Sequence, residues 1–177
     1  MHRLFVALRP PAAMRARLLS LMGGMASARW QRDDQLHLTL RFVGEVDRHC
    51  GEDIAAALGA VHFPRFALSL DGFGQFERKG RIDSLWVGVT PHEEVARLQA
   101  KVTQALSRVG IAPEGRAFLP HITIARFSRA AGATAAPPRA VASETYDMTE
   151  FCLYESVLAQ DGAAYMIVER YPLGQGR

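Results

Sequence analysis

Two histidines in matching surroundings are the residues best placed to do chemistry. One stretch reads His37-Leu38-Thr39-Leu40-Arg41-Phe42, the other His121-Ile122-Thr123-Ile124-Ala125-Arg126-Phe127. Both run His, apolar, Thr, apolar, and they lie nearly half the chain apart. By composition, one such tetrapeptide arises by chance in roughly one chain of twenty, and two in about one of several hundred. The repeat therefore points to an internal duplication that supplies one histidine strand from each half.

Strand geometry gives the spacing its meaning. Side chains alternate between faces, so His37 and Thr39 share one face while Leu38 and Leu40 turn to the other. His121 and Thr123 stand in the same relation to Ile122 and Ile124. Residues two apart lie roughly 7 Å from each other along a strand, so an imidazole and a hydroxyl can reach different atoms of one phosphate. A neutral imidazole can take a proton from water, and a protonated one can give a proton to a departing ribose oxygen. An imidazole pKa near ~6.5 makes both forms accessible close to neutrality. Thr39 and Thr123 can donate to the non-bridging oxygens, where charge builds in the transition state. Arg126 can add a positive charge there. Phe42 and Phe127, which follow the two motifs, are core residues or base-stacking platforms. Residue spacing leaves the acid and base roles of the two histidines open, because the motifs are nearly symmetric.

Metal binding is the rival use of paired histidines. Zinc usually takes three or four protein ligands, and neither motif carries a second His, Cys, Asp or Glu at ligand spacing. The expectation is a metal-independent site with no cofactor. Asp71-Gly72-Phe73-Gly74 contains Gly-x-Gly without the third glycine of a dinucleotide fingerprint, so it reads as a turn or bulge. His2, His49, His62 and His92 have no sequence partners and read as surface residues.

The elements that must hold these residues follow from hydropathy and breakers. Leu4 to Leu8 reads as a buried strand stopped by Pro10-Pro11, and Ala12 to Met22 as an amphipathic helix ended by Gly23-Gly24. Gln35 to Val43 reads as a strand and Asp47 to Leu58 as a helix. Phe66 to Phe76 is a strand interrupted at Gly72 and Gly74, and Ser84 to Val89 another strand. Pro91 opens a helix running to about Arg108, and Phe118 to Phe127 is the second motif strand. The segment from Ala130 to Arg139 is rich in alanine and proline and reads as an exposed loop. Phe151 to Leu158 and Ala164 to Tyr171 make a hairpin around Asp161-Gly162. Strands and helices do not alternate strictly, which points to α+β with antiparallel sheets and helices packed outside.

The bulk properties fit a phosphate-bearing ligand. The 177-residue chain is 49% hydrophobic and 22% charged, with net charge +3 and pI near 9.2. Apart from Lys79 and Lys101, the basic residues are arginines, which suit phosphate oxygens, although the bias also fits an alanine-rich genome. Cys50 and Cys152 form no CxxC pair, consistent with a reduced cytoplasmic protein. No segment reaches membrane-spanning length, and the N-terminal apolar run is too short for a signal peptide.

The paired His-x-Thr-x motifs resemble the 2H phosphoesterase superfamily, and more closely its RNA 2′,3′-cyclic phosphodiesterases, also called 2′-5′ RNA ligases. The resemblance extends to Arg3-Leu4-Phe5-Val6-Ala7-Leu8 with Pro10, Arg29-Trp30, Phe42-Val43-Gly44-Glu45-Val46, Phe118-Leu119-Pro120, Tyr154-Glu155-Ser156, Gly162, Tyr165 and Pro172-Leu173. It implies a single bilobal domain over residues 1–177, with two antiparallel sheets and outer helices related by a pseudo-two-fold and a cleft between the lobes. It implies hydrolysis of RNA 2′,3′-cyclic phosphate ends, or of 2′,3′-cyclic nucleotides, to 2′-phosphomonoesters. It also implies reverse 2′-5′ ligation, with His37 as proton donor and His121 as proton acceptor. A monomer is the default. The alternatives are a nucleotide- or RNA-binding module that uses the cleft for recognition alone, and a phosphodiesterase acting on another cyclic phosphate.

Overall fold

Alternating apolar residues and two proline stops set the frame in each half. The computed structural model describes residues 1–128, 141, 144–160 and 162–174. In chain order its elements are β1 (His2–Leu8), α1 (Ala12–Ser20), β2 (Ala28–Trp30), a 3-10 turn (Asp33–Gln35), β3 (Leu38–Val46), α2 (Arg48–Gly59), β4 (Phe66–Arg78), β5 (Arg81–Thr90), α3 (His92–Arg108), β6 (His121–Phe127), β7 (Thr145–Met148), β8 (Glu150–Ala159) and β9 (Gly162–Pro172). The loop read at Ala130 to Arg139 lies outside the described residues.

The halves share one plan. β1 leads through Pro11 into α1 and on to β3; β5 leads through Pro91 into α3 and on to β6. Each proline sits at the helix N-cap in extended conformation, with ψ of 160° and 148°. Proline cannot donate an N–H, and a helix start does not require one. Pro91 thus lies one residue outside the helix that the sequence assigns to it. Asp47 caps α2, accepting a hydrogen bond from the Cys50 N–H at 2.9 Å, a contact typically worth about 1 kcal/mol.

The two expected sheets are joined edge to edge. Every pairing is antiparallel, and the strand order is β7-β4-β5-β6-β3-β1-β8-β9, with β2 also pairing β6. The junction is the pair Leu38↔Ile122, the residues that directly follow the two histidines. An antiparallel pair carries a local two-fold axis, so this register sets the two motifs symmetrically about the junction.

The helices cover one face of the sheet. Met14 and Leu18 of α1, Ile54 and Leu58 of α2, and Val95, Leu98, Val102 and Leu106 of α3 are fully buried with Leu38, Leu40, Ile122 and Ile124 in one core. Burying one such side chain contributes about 2 kcal/mol. The opposite face carries the histidines and threonines. β2, the 3-10 turn and β7 were not legible as separate elements, because they are too short to show a period.

Candidate active site

The faces of β3 and β6 are set by the same irregularity. On β3, Arg41 pairs Val6 and Thr39 pairs Ala7, leaving Leu40 as an extra residue; on β6, Ala125 pairs Leu85 and Thr123 pairs Trp86, leaving Ile124 extra. A bulge lets two successive side chains fall on one face and then reverses the alternation. Leu40 and Arg41 are both buried, as are Ile124 and Ala125. The next residues, Phe42 and Arg126, therefore return to the face of the histidines. Unbroken alternation would have turned both away.

The outcome is a cleft of about 480 Å³ lined by His37, Thr39 and Phe42 from one half and His121, Thr123 and Arg126 from the other. The structure thus brings together six of the seven residues singled out from sequence. The exception is Phe127, which is half-buried against the core and lines a separate groove. One residue beyond Arg126 on a regular strand end, it has returned to the helix-covered face.

Each histidine is held in the same way. His37 Nδ1–H donates to the Gln35 carbonyl at 2.7 Å, and His121 Nδ1–H donates to the Leu119 carbonyl at 2.7 Å. In each case the acceptor lies two residues upstream. Because a carbonyl can only accept, each ring carries its proton on Nδ1 and keeps Nε2 for other partners. The carbonyls are themselves positioned. Gln35 ends the 3-10 turn and ties it to β9 through Nε2–H donation to the Ala163 carbonyl at 2.8 Å. Leu119 precedes Pro120, which restricts it to extended conformations.

Aromatic rings fix the imidazole planes. His37 lies 4.9 Å from Phe5, 5.0 Å from Tyr165 in an edge contact, and 6.1 Å from Tyr154. His121 lies 4.9 Å from Phe76 in an edge contact and 5.7 Å from Trp86. Gly74 makes room for that indole: a Cβ there would stand 2.1 Å from the Trp86 ring. Gly72, at φ 67°, is the extra residue of a bulge opposite β5, so the Gly-x-Gly stretch is structural.

The site is electropositive. Arg3 and Arg126 line it, and among the described residues no carboxylate does. Burial, opposed by the bond to Gln35, pushes the His37 pKa down to about 4, and the charges of Arg126 and His121 add to the depression. His37 is half-buried, and its ring lies beneath three aromatic side chains. Burial also lowers the His121 pKa, opposed by the Leu119 bond, with Arg126 and Arg116 contributing. With both pKa values lowered, both rings are neutral near pH 7. An anion between them and Arg126 would favour protonation.

Arg3, Phe5, Ser156, Ala163 and Tyr165 also line the cleft and were not picked out as site residues. Most lie in the segments that carried the family resemblance, which was the available signal. Ser156 and Tyr165 face each other across the β8–β9 pairing. Of the other histidines, His49, His62 and His92 are exposed, while His2 is half-buried and bonds Glu155 at 2.8 Å. Among the described residues no group of three or more His, Cys, Asp or Glu is placed to hold a metal ion.

This fold is that of the 2H phosphoesterases. The chain belongs to the 2′-5′ RNA ligase superfamily, whose family model matches residues 9–157. It is similar to the RNA 2′,3′-cyclic phosphodiesterase of Escherichia coli (strain K12), with 32% identity over 178 residues that cover 98% of each chain. The protein of that name from Archaeoglobus fulgidus is 30% identical over 169 residues, 92% of this chain and 96% of that protein. The one from Aeropyrum pernix is 38% identical over 99 residues, where the match spans 56% of that protein. Among solved structures, Escherichia coli LigT complexed with 3′-AMP superposes with TM-score 0.82 at 31% identity, covering 98% of this chain and 99% of that one. TT0787 of Thermus thermophilus gives 0.87 at 26% identity, covering 98% and 100%.

Proposed function

We propose that this protein hydrolyses RNA 2′,3′-cyclic phosphate ends to 2′-phosphomonoesters, with His37 and His121 as its proton-transfer groups. The observation that carries the proposal is the matched pair of Nδ1–carbonyl bonds, which leaves two Nε2 atoms for one cleft. Family membership and the names of the relatives support the substrate class.

The atoms balance simply. His121 Nε2 takes a proton from water as the water oxygen bonds to phosphorus. The bond from phosphorus to the ribose 3′ oxygen breaks, and His37, protonated at Nε2, gives that oxygen its proton. The phosphate stays on the 2′ oxygen. The assignment of donor and acceptor follows the family resemblance. Arg126, Thr39 and Thr123 donate to the non-bridging oxygens, and Phe42 offers a face to the terminal base. With an RNA 5′ hydroxyl in place of water as the nucleophile, the same forward steps form a 2′-5′ linkage.

The cleft is built from both halves of one chain, so residues 1–177 act as a single bilobal unit and a monomer suffices. No described helix is long and apolar enough to cross a membrane. The two free cysteines suit the reducing cytoplasm.

The decisive experiment is hydrolysis of a cyclic-ended oligonucleotide in chelator-treated buffer, with the product's phosphate located by ³¹P NMR. A 2′-phosphate that appears without added metal, and fails to appear with His37→Ala and His121→Ala, is expected. Nucleotide binding without turnover would instead establish a recognition module. A 3′-phosphate product would reverse the proposed leaving group.

A further inference from the structure

A second groove of about 410 Å³ lies at the tip of the β4–β5 hairpin. It is lined by Arg78, Lys79 and Arg81 together with Phe127 and Ser128, and Asp83 is its one carboxylate among the described residues. The three cations crowd a two-residue turn. Lys79 and Gly80 both have left-handed backbones, at φ 53° and 72°, and Arg78 pairs directly with Arg81 across the hairpin. Like charges facing each other across a sheet destabilise it, and a lysine in the left-handed region adds strain. Neither Arg78 nor Lys79 makes an ion pair among the described residues. An anion in the groove would be attracted by Arg78 and Lys79.

The groove and the catalytic cleft are separate but draw on the same three neighbouring strands, with Phe127 reaching the groove from the face opposite Arg126. On β6, Arg126 lines the cleft and Phe127 lines the groove. On β4, Phe76 touches the His121 ring and Arg78 lies two residues further on, roughly 7 Å away along the strand. On β5, Trp86 flanks His121 and the strand runs back to Arg81. Phe76 is 38% exposed, an aromatic surface between the reacting phosphate and the cations. A positive track interleaved with aromatic rings is how proteins hold single-stranded nucleic acid without reading its sequence.

We propose that this groove binds the phosphodiester backbone of the nucleotides 5′ to the cyclic end, making oligonucleotides better substrates than cyclic mononucleotides. The proposal rests on the cyclic-phosphate function above. It assigns Arg78 and Lys79 to the RNA body, on the order of four nucleotides, the low end of single-strand site sizes.

The test compares 2′,3′-cyclic CMP with an octanucleotide ending in a 2′,3′-cyclic phosphate, using the full chain and the double variant Arg78→Gln, Lys79→Asn. Asparagine tolerates the left-handed backbone, and both positions are exposed. The expected result is unchanged kcat/KM for cyclic CMP and an octanucleotide value lower on the order of tenfold, with a log–log salt slope shallower by about 1.4. Equal wild-type kcat/KM for both substrates, or a variant that leaves the octanucleotide unaffected, would overturn it. If the wild type turns over neither substrate, the catalytic proposal fails by itself. Fluorescence anisotropy of a labelled octanucleotide then decides the groove: weaker binding by the variant supports it, and equal binding refutes it.

Discussion

Phe42 and Arg126 hold the same place in the two halves of the sheet, each the second residue beyond a bulge, at Leu40 and Ile124 respectively. The pseudo-symmetric cleft is therefore chemically one-sided at this position. One half presents an aromatic face and the other a guanidinium, which the proposed function assigns to the base and the phosphate of a nucleotide.

Substitution should separate the two roles. Arg126→Gln removes charge stabilisation at the phosphorus, and kcat/KM should fall by about 10²-fold or more. Phe42→Ala removes a stacking surface, so KM should rise about tenfold with kcat nearly unchanged. Steady-state kinetics on a cyclic-ended oligonucleotide reads both. Equal effects on kcat from the two variants would contradict the division.

Removing either imidazole should lower kcat by roughly 10²–10⁴. The pH dependence carries further information. The proposed mechanism needs one ring neutral and one protonated, and burial holds both pKa values below the usual 6.5, that of His37 at about 4. The kcat/KM profile, which reports the free enzyme, should peak on the acid side of pH 6.5 and decline toward pH 8. The two limbs belong to the coupled pair. Bound phosphate favours imidazolium, so the kcat profile should lie at higher pH. Arg126→Gln removes a charge that depresses both rings and should move the kcat/KM maximum upward.

Stability should fall with the same titration. Between pH 6.5 and about 4 the unfolded chain protonates His37 while the folded protein resists, so folding weakens as pH drops through that window. Urea midpoints measured from pH 7 to pH 5 should show a decline that is smaller in His37→Gln. An identical slope in the variant would locate the sensitivity elsewhere.

Gly74→Ala should act at a distance of two ring contacts. Its Cβ would overlap the Trp86 indole, which flanks His121. Overpacking of this kind costs about 1–3 kcal/mol. Thermal denaturation should show the loss, accompanied by lower kcat as the imidazole shifts. Gly80→Ala, at a turn with open space around it, is the control for backbone strain without the ring clash.

Much of this site was readable in advance because it depends on local periodicity. His37 and Thr39, like His121 and Thr123, fall on one face through the two-residue repeat of a strand. The prolines and glycines marked where β1, α1 and α3 begin or stop. The Gly-x-Gly stretch was correctly set aside as a bulge, since no third glycine followed. β2 and β7 escaped because three or four residues are too few to show a pattern.

What the residues alone determined, then, is that two similar strands each offer an imidazole and a hydroxyl to the same side, because side-chain alternation is written into consecutive positions. Tertiary pairing decided the rest. The Leu38↔Ile122 junction set the two strands about one cleft, and register shifts against β1 and β5 turned Phe42 and Arg126 inward while leaving Phe127 on the other face. A bulge exists only relative to a partner strand, so no inspection of β3 or β6 in isolation could reveal it.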